Sequence, residues 1–261
     1  MGKTILITGA TDGIGLETAK RLAADGHAVL LHGRDPAKLE RAARAVGGDP
    51  DTYLADLSDL AAVEALADAI MAKHDRLDVL VNNAGVLKTP DPVTADGVDV
   101  RFVVNTLAPY LLTRRLLSII PPEGRVVNLS SAAQAPVEMD ALAGARHLGD
   151  MEAYSQSKLA ITMWSRAMAD EFPGGPMIVA VNPGSLLATK MVREGFGIAG
   201  NDVGIGADIL VRAATSDDFA DAAGQYFDND AGRFTHPHRD ALDPGKVGRV
   251  VAAIDAILSA A

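Results

Sequence analysis

The chain has 261 residues, 48% of them hydrophobic and 22% charged, which is enough to bury a core without covalent staples and too apolar for long disorder. It contains no cysteine, which excludes a disulfide scaffold, a cysteine-zinc site, an iron–sulfur cluster and a cysteine nucleophile. With 24 basic against 34 acidic residues the net charge is −10, so no nucleic-acid partner is expected of a chain that cannot displace counterions from a polyanion.

Periodicity predicts a strand over Thr4 to Thr8, closed by Gly9. A helical stripe follows at Ile14, Leu16, Thr18, Ala19, Leu22 and Ala23, stopped by Asp25-Gly26. The next strand is His27 to His32. A helix then starts at Pro36, where the missing N–H costs nothing, and stops at Gly47-Gly48. Further on come a strand at Asp51 to Leu54, a helix from Leu60 to Met71, and a strand at Leu77 to Val81 running into Asn82-Asn83-Ala84-Gly85. Val98 to Ile120 reads as one long helix before Pro121-Pro122, Arg125 to Leu129 as a strand, and Met151 to Phe172 as a second long helix. Met177 to Val181 is a strand, Ala207 to Thr215 a helix, Gln225 to Phe227 the last strand and Val247 to Leu258 the last helix. Apolar strands alternating with helices predict an α/β fold: a single domain over 1–261, built on a doubly wound parallel sheet with helices on both faces.

The N-terminal apolar run is too short for a secretory signal, and no window approaches 18 uninterrupted apolar residues. The expectation is a soluble, cytoplasmic protein with no membrane span.

Between the first strand and helix lies Thr8-Gly9-Ala10-Thr11-Asp12-Gly13-Ile14-Gly15. Glycines let the chain turn sharply and let a phosphate approach the backbone, while unpaired N–H groups at the helix start face the anion. The alternative is a tight turn with no ligand. The second strand ends Leu30-Leu31-His32-Gly33-Arg34-Asp35. A carboxylate at this point accepts a ribose 2′-hydroxyl, whereas an arginine pairs a 2′-phosphate. Gly33 has no carboxylate and Arg34 offers a phosphate fork, which favours NADP over NAD. Asp35 remains open, as a ribose ligand or as a partner of Arg34.

Tyr154 and Lys158, at i and i+4 on the second long helix, share one face. A phenol with a pKa of about 10 is a poor base, and bringing it near 7 takes about 4 kcal/mol, which a neighbouring ammonium and a cationic nicotinamide can supply. In the reductive direction the same phenol donates a proton to a developing alkoxide. Ser130-Ser131 ends a strand at the sheet edge where such folds place ligands, so a hydroxyl there can hold a carbonyl oxygen. Asn105 lies within the first long helix among Val103, Val104 and Leu107, a buried setting in which an amide needs partners.

Taken together, Thr8-Gly9-x3-Gly13-Ile14-Gly15, Asp56, Asn82-Asn83-Ala84-Gly85, Asn105, Ser131, Tyr154 with Lys158, and Pro183-Gly184 make the chain resemble the classical short-chain dehydrogenase/reductase family. The resemblance runs from Thr4 to about Phe227. The stretches Asp96–Thr113 and Leu129–Ala133 are most similar to the retinol-dehydrogenase and carbonyl-reductase-like branch. It implies a Rossmann-like fold and an NADP-preferring oxidoreductase, NAD being the other choice, that interconverts a carbonyl and an alcohol. Gly9, Thr11, Asp12, Gly13, Ile14 and Gly15 would shape the coenzyme-phosphate turn. Arg34, Asp56 and Leu57 would hold the adenosine end. Asn82 would brace the sheet, and Asn83, Ala84 and Gly85 would pass close to the coenzyme. Asn105 would anchor a water in a proton relay through Lys158, Ser131 would orient the carbonyl and Tyr154 would be the acid/base. Lys158 would also bind ribose hydroxyls, Pro183 and Gly184 would line the nicotinamide, and Thr189 would contact its carboxamide.

Ser131 and Tyr154 stand further apart than is common in that family, because of an insert at about 136–150 that carries Glu138, Asp140, His147 and Asp150. The insert is expected at the substrate mouth, and it leaves open whether the chain is a homo-oligomer. Leu186, Leu187, Met191, Val192, Phe196 and Ile198, interleaved with glycines, predict a mobile lid at about 186–205 and a hydrophobic small-molecule substrate. No metal site is expected, since His236-Pro237-His238 lacks a third ligand at metal-like spacing. The competing function is a coenzyme sensor or regulatory protein that kept the dinucleotide fold without catalysis.

Overall fold

The structure, a computed structural model, describes residues 2–260; the side chain of Phe196 lies outside the description. Strand β1 (Thr4–Ile7) leads through the glycine turn into α1 (Gly13–Ala24), β2 (Ala28–Gly33), α2 (Pro36–Val46), β3 (Thr52–Leu54), α3 (Leu60–Lys73) and β4 (Val79–Asn82). There follow α4 (Val100–Phe102), a π-helical turn at Val103–Leu107, α5 (Ala108–Leu116), β5 (Arg125–Leu129), α6 (Met139–Leu142) and α7 (Asp150–Glu171). The chain ends with β6 (Met177–Asn182), α8 (Lys190–Phe196), α9 (Val203–Thr215), β7 (Tyr226–Asp228), β8 (Arg233–Thr235) and α10 (Pro244–Ala260).

The sheet order is β3-β2-β1-β4-β5-β6-β7-β8. The first seven strands are parallel, and β8 pairs antiparallel with β7, so Phe227 is not in the last strand. Three other expectations change. The helix expected from Val98 to Ile120 begins at Val100, widens into the π turn and ends at Leu116. The helix expected at Ala207 begins at Val203, capped by Asp202, and so takes in the end of the segment read as a lid. The insert carries a short helix of its own, α6, and its last residue, Asp150, opens α7.

The central strands are largely apolar because they feed two cores. Leu6, Leu30, Leu80, Val126 and Ile178 pack under α3, α5, α7 and α10. Their neighbours Ile5, Ile7, Val29, Leu31, Val79, Val81, Val127, Val179 and Val181 pack on the opposite face under α1 and α9. Trp164, Met163 and Met168 belong to the first core. Acidic side chains cap helix after helix: Asp12, Asp35, Asp59, Asp99 and Asp202 each accept from a backbone N–H of a first turn. Among the described residues no helix is long and apolar enough to cross a membrane.

Strand order reverses at β1, whose neighbours are β2 on one side and β4 on the other. At that switch point the chains leaving the carboxyl ends of β1 and β4 diverge and leave a crevice, which is where an open α/β sheet receives a ligand.

Candidate active site

The crevice is a cleft of about 290 Å³ between the segments that follow β1, β2, β4 and β6. Its floor is the glycine turn. Gly9 and Gly13 have φ of +65° and +53°, which favours residues without a Cβ. Gly15 has an ordinary φ but no room: a Cβ there would lie 2.4 Å from Asn83 Nδ2 and 2.5 Å from the Gly9 carbonyl. The turn is therefore pressed onto the segment after β4. Asn83 Nδ2 donates to the carbonyls of Thr8 and Gly9 at 2.8 and 3.1 Å, and Thr8 Oγ1 accepts from the backbone N–H of Asn83 and Ala84. Gly15 is thus required by protein packing, in addition to any close approach of a phosphate.

His32, read from the sequence only as a strand residue, is buried beneath this turn. The Gly9 N–H donates to its Nδ1 at 3.2 Å, and its Nε2–H donates to the Ala55 carbonyl at 3.1 Å. The ring thereby ties the ends of β1, β2 and β3 together as the neutral tautomer. Burial pushes its pKa down from 6.5 to about 4. The unfolded chain takes up a proton below pH 6.5 and the folded chain does not until about 4, so stability present above 6.5 is lost on acidification through that window. At 1.36 kcal/mol per pH unit the loss is about 3 kcal/mol. Urea unfolding of the parent protein and His32→Asn between about pH 7 and about pH 4 checks this. The variant keeps an acceptor for Gly9 and should lose about 3 kcal/mol less over that span.

At the far end of β2, Arg34 is exposed at the cleft wall beside Asp56. Asp35 has another occupation: its carboxylate accepts from the Lys38 N–H at 2.9 Å as the cap of α2, a bond that also pulls its pKa below the ordinary range. Either alternative open for Asp35 in the sequence would have to compete with this cap. Asp12 likewise caps α1 through the Gly13 N–H, so a carboxylate sits at the helix start. Asp56 folds back on the N–H and hydroxyl of Ser58. Burial works against its negative charge, but these bonds, with Arg34 beside it, bring its pKa down overall.

Tyr154 and Lys158 project from α7 into the same cleft, the ammonium 5.7 Å from the centre of the phenol ring. Lys158 Nζ donates to the Leu129 carbonyl at 2.7 Å, and burial pushes its pKa down to about 8. The phenol moves opposite to the sequence expectation. Burial raises its pKa, and the Ser131 side chain nearby offsets only part of that rise. Ser130 is turned away: its hydroxyl bonds the Lys158 carbonyl and Thr162 Oγ1 inside the core. Asn105, in the π turn, is buried with its side chain committed. Its amide donates to the Val86 carbonyl and to Ser157 Oγ, both at 2.9 Å, and its Oδ1 accepts from the Val86 N–H at 2.8 Å. It pins the segment after β4 to α7, leaving its side chain little capacity for a water.

The cleft gathers nearly every residue singled out from the sequence: Gly9, Thr11 to Gly15, Arg34, Asp56, Leu57, Asn83, Ala84, Gly85, Tyr154, Lys158 and Pro183. Gly184, Asn105 and Ser131 are not among the residues that line it. Asn82 bridges β4 to Asn128 on β5 and to Thr113 on α5, as a brace should. The sequence reading missed the cleft-lining role of His32, Val86, Val104 and Lys190. Lys190 follows Thr189, whose hydroxyl caps α8 and whose methyl group would be 3.4 Å from a Cβ at Gly13. Helix α8 packs down on the segment after β4, where a Cβ at Gly195 would meet Leu87 at 2.8 Å. Among the described residues no group of three His, Asp or Glu is placed to hold a metal ion.

Comparison with known proteins agrees with this geometry. The model of the short chain dehydrogenase family matches residues 3–197. Human retinol dehydrogenase 13 is 33% identical over 253 residues, covering 87% of this chain and 76% of that protein. A protein of Shigella flexneri 2a solved with NADP is 28% identical with a TM-score of 0.69, over 87% of this chain and 97% of the other. The 3-ketoacyl-(acyl-carrier-protein) reductase of Brucella melitensis, solved with NADH, is 26% identical with a TM-score of 0.69, over 87% and 96%. The chain therefore belongs to the short-chain dehydrogenase family, in the branch of the retinol dehydrogenases.

Proposed function

We propose that the protein is an NADP-preferring oxidoreductase that interconverts a ketone or aldehyde and an alcohol, with Tyr154 as its acid/base. The carrying observation is that Tyr154, Lys158 and the glycine turn open into one cleft, with the Ser131 side chain near enough to the phenol to lower its pKa in part. The cleft suits a dinucleotide: turn backbone under positive φ, cations at Arg34 and Lys190, and the Lys158 ammonium at the opposite end. The bound nicotinamide supplies or accepts the hydride. For carbonyl reduction Ser131 and Tyr154 hold the substrate oxygen between two hydroxyl donors. The phenol, kept protonated by burial, passes its proton to that oxygen as negative charge develops there. Lys158 orients the ribose hydroxyls with the N–H groups not given to Leu129. Helix α8 acts as the lid, and its apolar neighbours Leu186 and Ile198 favour a hydrophobic substrate.

The preference for NADP rests on Arg34 at the end of β2, with Asp35 capping α2 and Asp56 folded back on Ser58. A paired NADPH and NADH screen over aldehydes and ketones, all-trans-retinal among them, tests coenzyme choice and catalysis together. NADPH-dependent turnover is expected. Arg34→Ala should weaken NADPH binding by about tenfold or more, the scale of a charge-assisted contact, and leave NADH binding unchanged. Coenzyme binding with no turnover of any carbonyl or alcohol would instead favour the sensor reading.

A further inference from the structure

Ser131 lies one residue beyond the last ladder bond of its strand, in which the Ser130 N–H donates to the Val181 carbonyl at 2.9 Å. From Ser131 to Glu138 the chain leaves the sheet, so no neighbouring strand fixes the Ser131 peptide. Its carbonyl is nevertheless doubly held. Tyr226 Oη donates to it at 3.1 Å and Gln134 Nε2 donates to it at 3.0 Å. Gln134 is fixed in turn, since its Oε1 accepts from the His238 N–H at 3.0 Å. Tyr226 is buried on β7, two strands from β5. Its register partner on the intervening β6 is Ala180, and Ala180 pairs with Asn128. A methyl group at 180 leaves space on that face for the phenol to reach back over the sheet.

We propose that Tyr226 and Gln134 are positioning residues for Ser131, fixing its peptide from behind so that its hydroxyl meets Tyr154. This rests on the reading of Ser131 given above. Tyr226, and the His238 backbone that holds Gln134, lie beyond the 3–197 stretch matched by the family model. Burial, with Asp228 and Asp230 close by, raises the Tyr226 phenol well above its ordinary pKa, so it remains a donor wherever the protein is folded.

The test is a double-mutant cycle of Tyr226→Phe with Ser131→Ala, scored with the carbonyl compound that the screen shows is turned over fastest, alongside a crystal structure of Tyr226→Phe. Removing one hydroxyl keeps the ring packed. It is expected to lower kcat about fivefold, with KM and NADPH affinity unchanged and the melting temperature lowered by no more than about 5 °C, the scale of one hydrogen bond. The Ser131 hydroxyl should move out of reach of Tyr154 in the crystal, and adding Tyr226→Phe to Ser131→Ala should cost nothing more. Gln134→Leu, which removes the other donor, should repeat the pattern. An unmoved Ser131 in Tyr226→Phe, or an equal loss in the Ser131→Ala background, overturns the proposal. If Ser131→Ala alone keeps full turnover, the reading of Ser131 fails, and the crystal structure of Tyr226→Phe still decides whether the tether exists.

Discussion

Tyr154→Phe lowers carbonyl turnover by about a thousandfold while the affinity for NADPH changes by less than about twofold, the scale expected for loss of a general acid. The substitution removes one oxygen from a half-buried side chain. The helix, the Lys158 bond to Leu129 and the glycine turn are all made without that oxygen. What disappears is the proton that must reach the substrate oxygen as hydride arrives. The raised pKa of the phenol adds a direction in pH. Carbonyl reduction needs the protonated phenol, so its rate should hold through neutral pH and decline only on the alkaline side. Alcohol oxidation needs the phenolate and should climb as pH rises. Steady-state rates in both directions, with coenzyme fluorescence titrations beside them, make the comparison. Retention of more than about a tenth of the parent turnover by Tyr154→Phe would remove the acid/base role.

Arg101→Met destabilises the protein by about 3–5 kcal/mol, the cost of leaving one partner of a buried ion pair behind. The Arg101 side chain is 1% exposed and that of Asp99 5%. The guanidinium grips both oxygens of Asp99, contacts the Leu87 carbonyl and pairs with Asp150 at the start of α7. One cation thereby fastens the start of α4, the segment under the lid and the end of the insert. Methionine fills much of the space and leaves the Asp99 carboxylate unpaired in the interior. The double substitution Arg101→Met with Asp99→Asn should recover a large part of the loss, because no charge is then stranded. The exposed pair Arg44–Glu40 is the control: Arg44→Met should shift stability by less than about 1 kcal/mol. Urea midpoints of the four proteins decide the matter, and equal effects at positions 44 and 101 would refute it.

The layers of the fold were legible because the central strands are runs of mostly apolar residues serving two cores, and because Asp, Pro and Gly mark helix ends by known backbone chemistry. Strand β8 escaped because Arg233-Phe234-Thr235 is too short to carry a period, and only packing of Phe234 against Phe219 and Phe227 makes it a strand. The π turn escaped because a hydrogen-bond register leaves no mark in composition; Asn105 hinted at it only by being an amide among valines. In the cleft, the glycines, Tyr154 and Lys158 announced themselves by type and spacing. His32 and Lys190 did not, since each matters through partners distant in sequence: Gly9 and Ala55 for the one, the turn across the cleft for the other. The phenol pKa was misjudged for a related reason. The sequence puts an ammonium four residues away, but it does not show how burial disfavours the charged form of each group.

Both borders of the sheet are three-residue strands, β3 at one end and β8 at the other. A border that short offers an incoming chain few unpaired backbone groups, and Arg233 places a charge on one of them. Growth of this protein into edge-to-edge stacks is thereby discouraged from both sides.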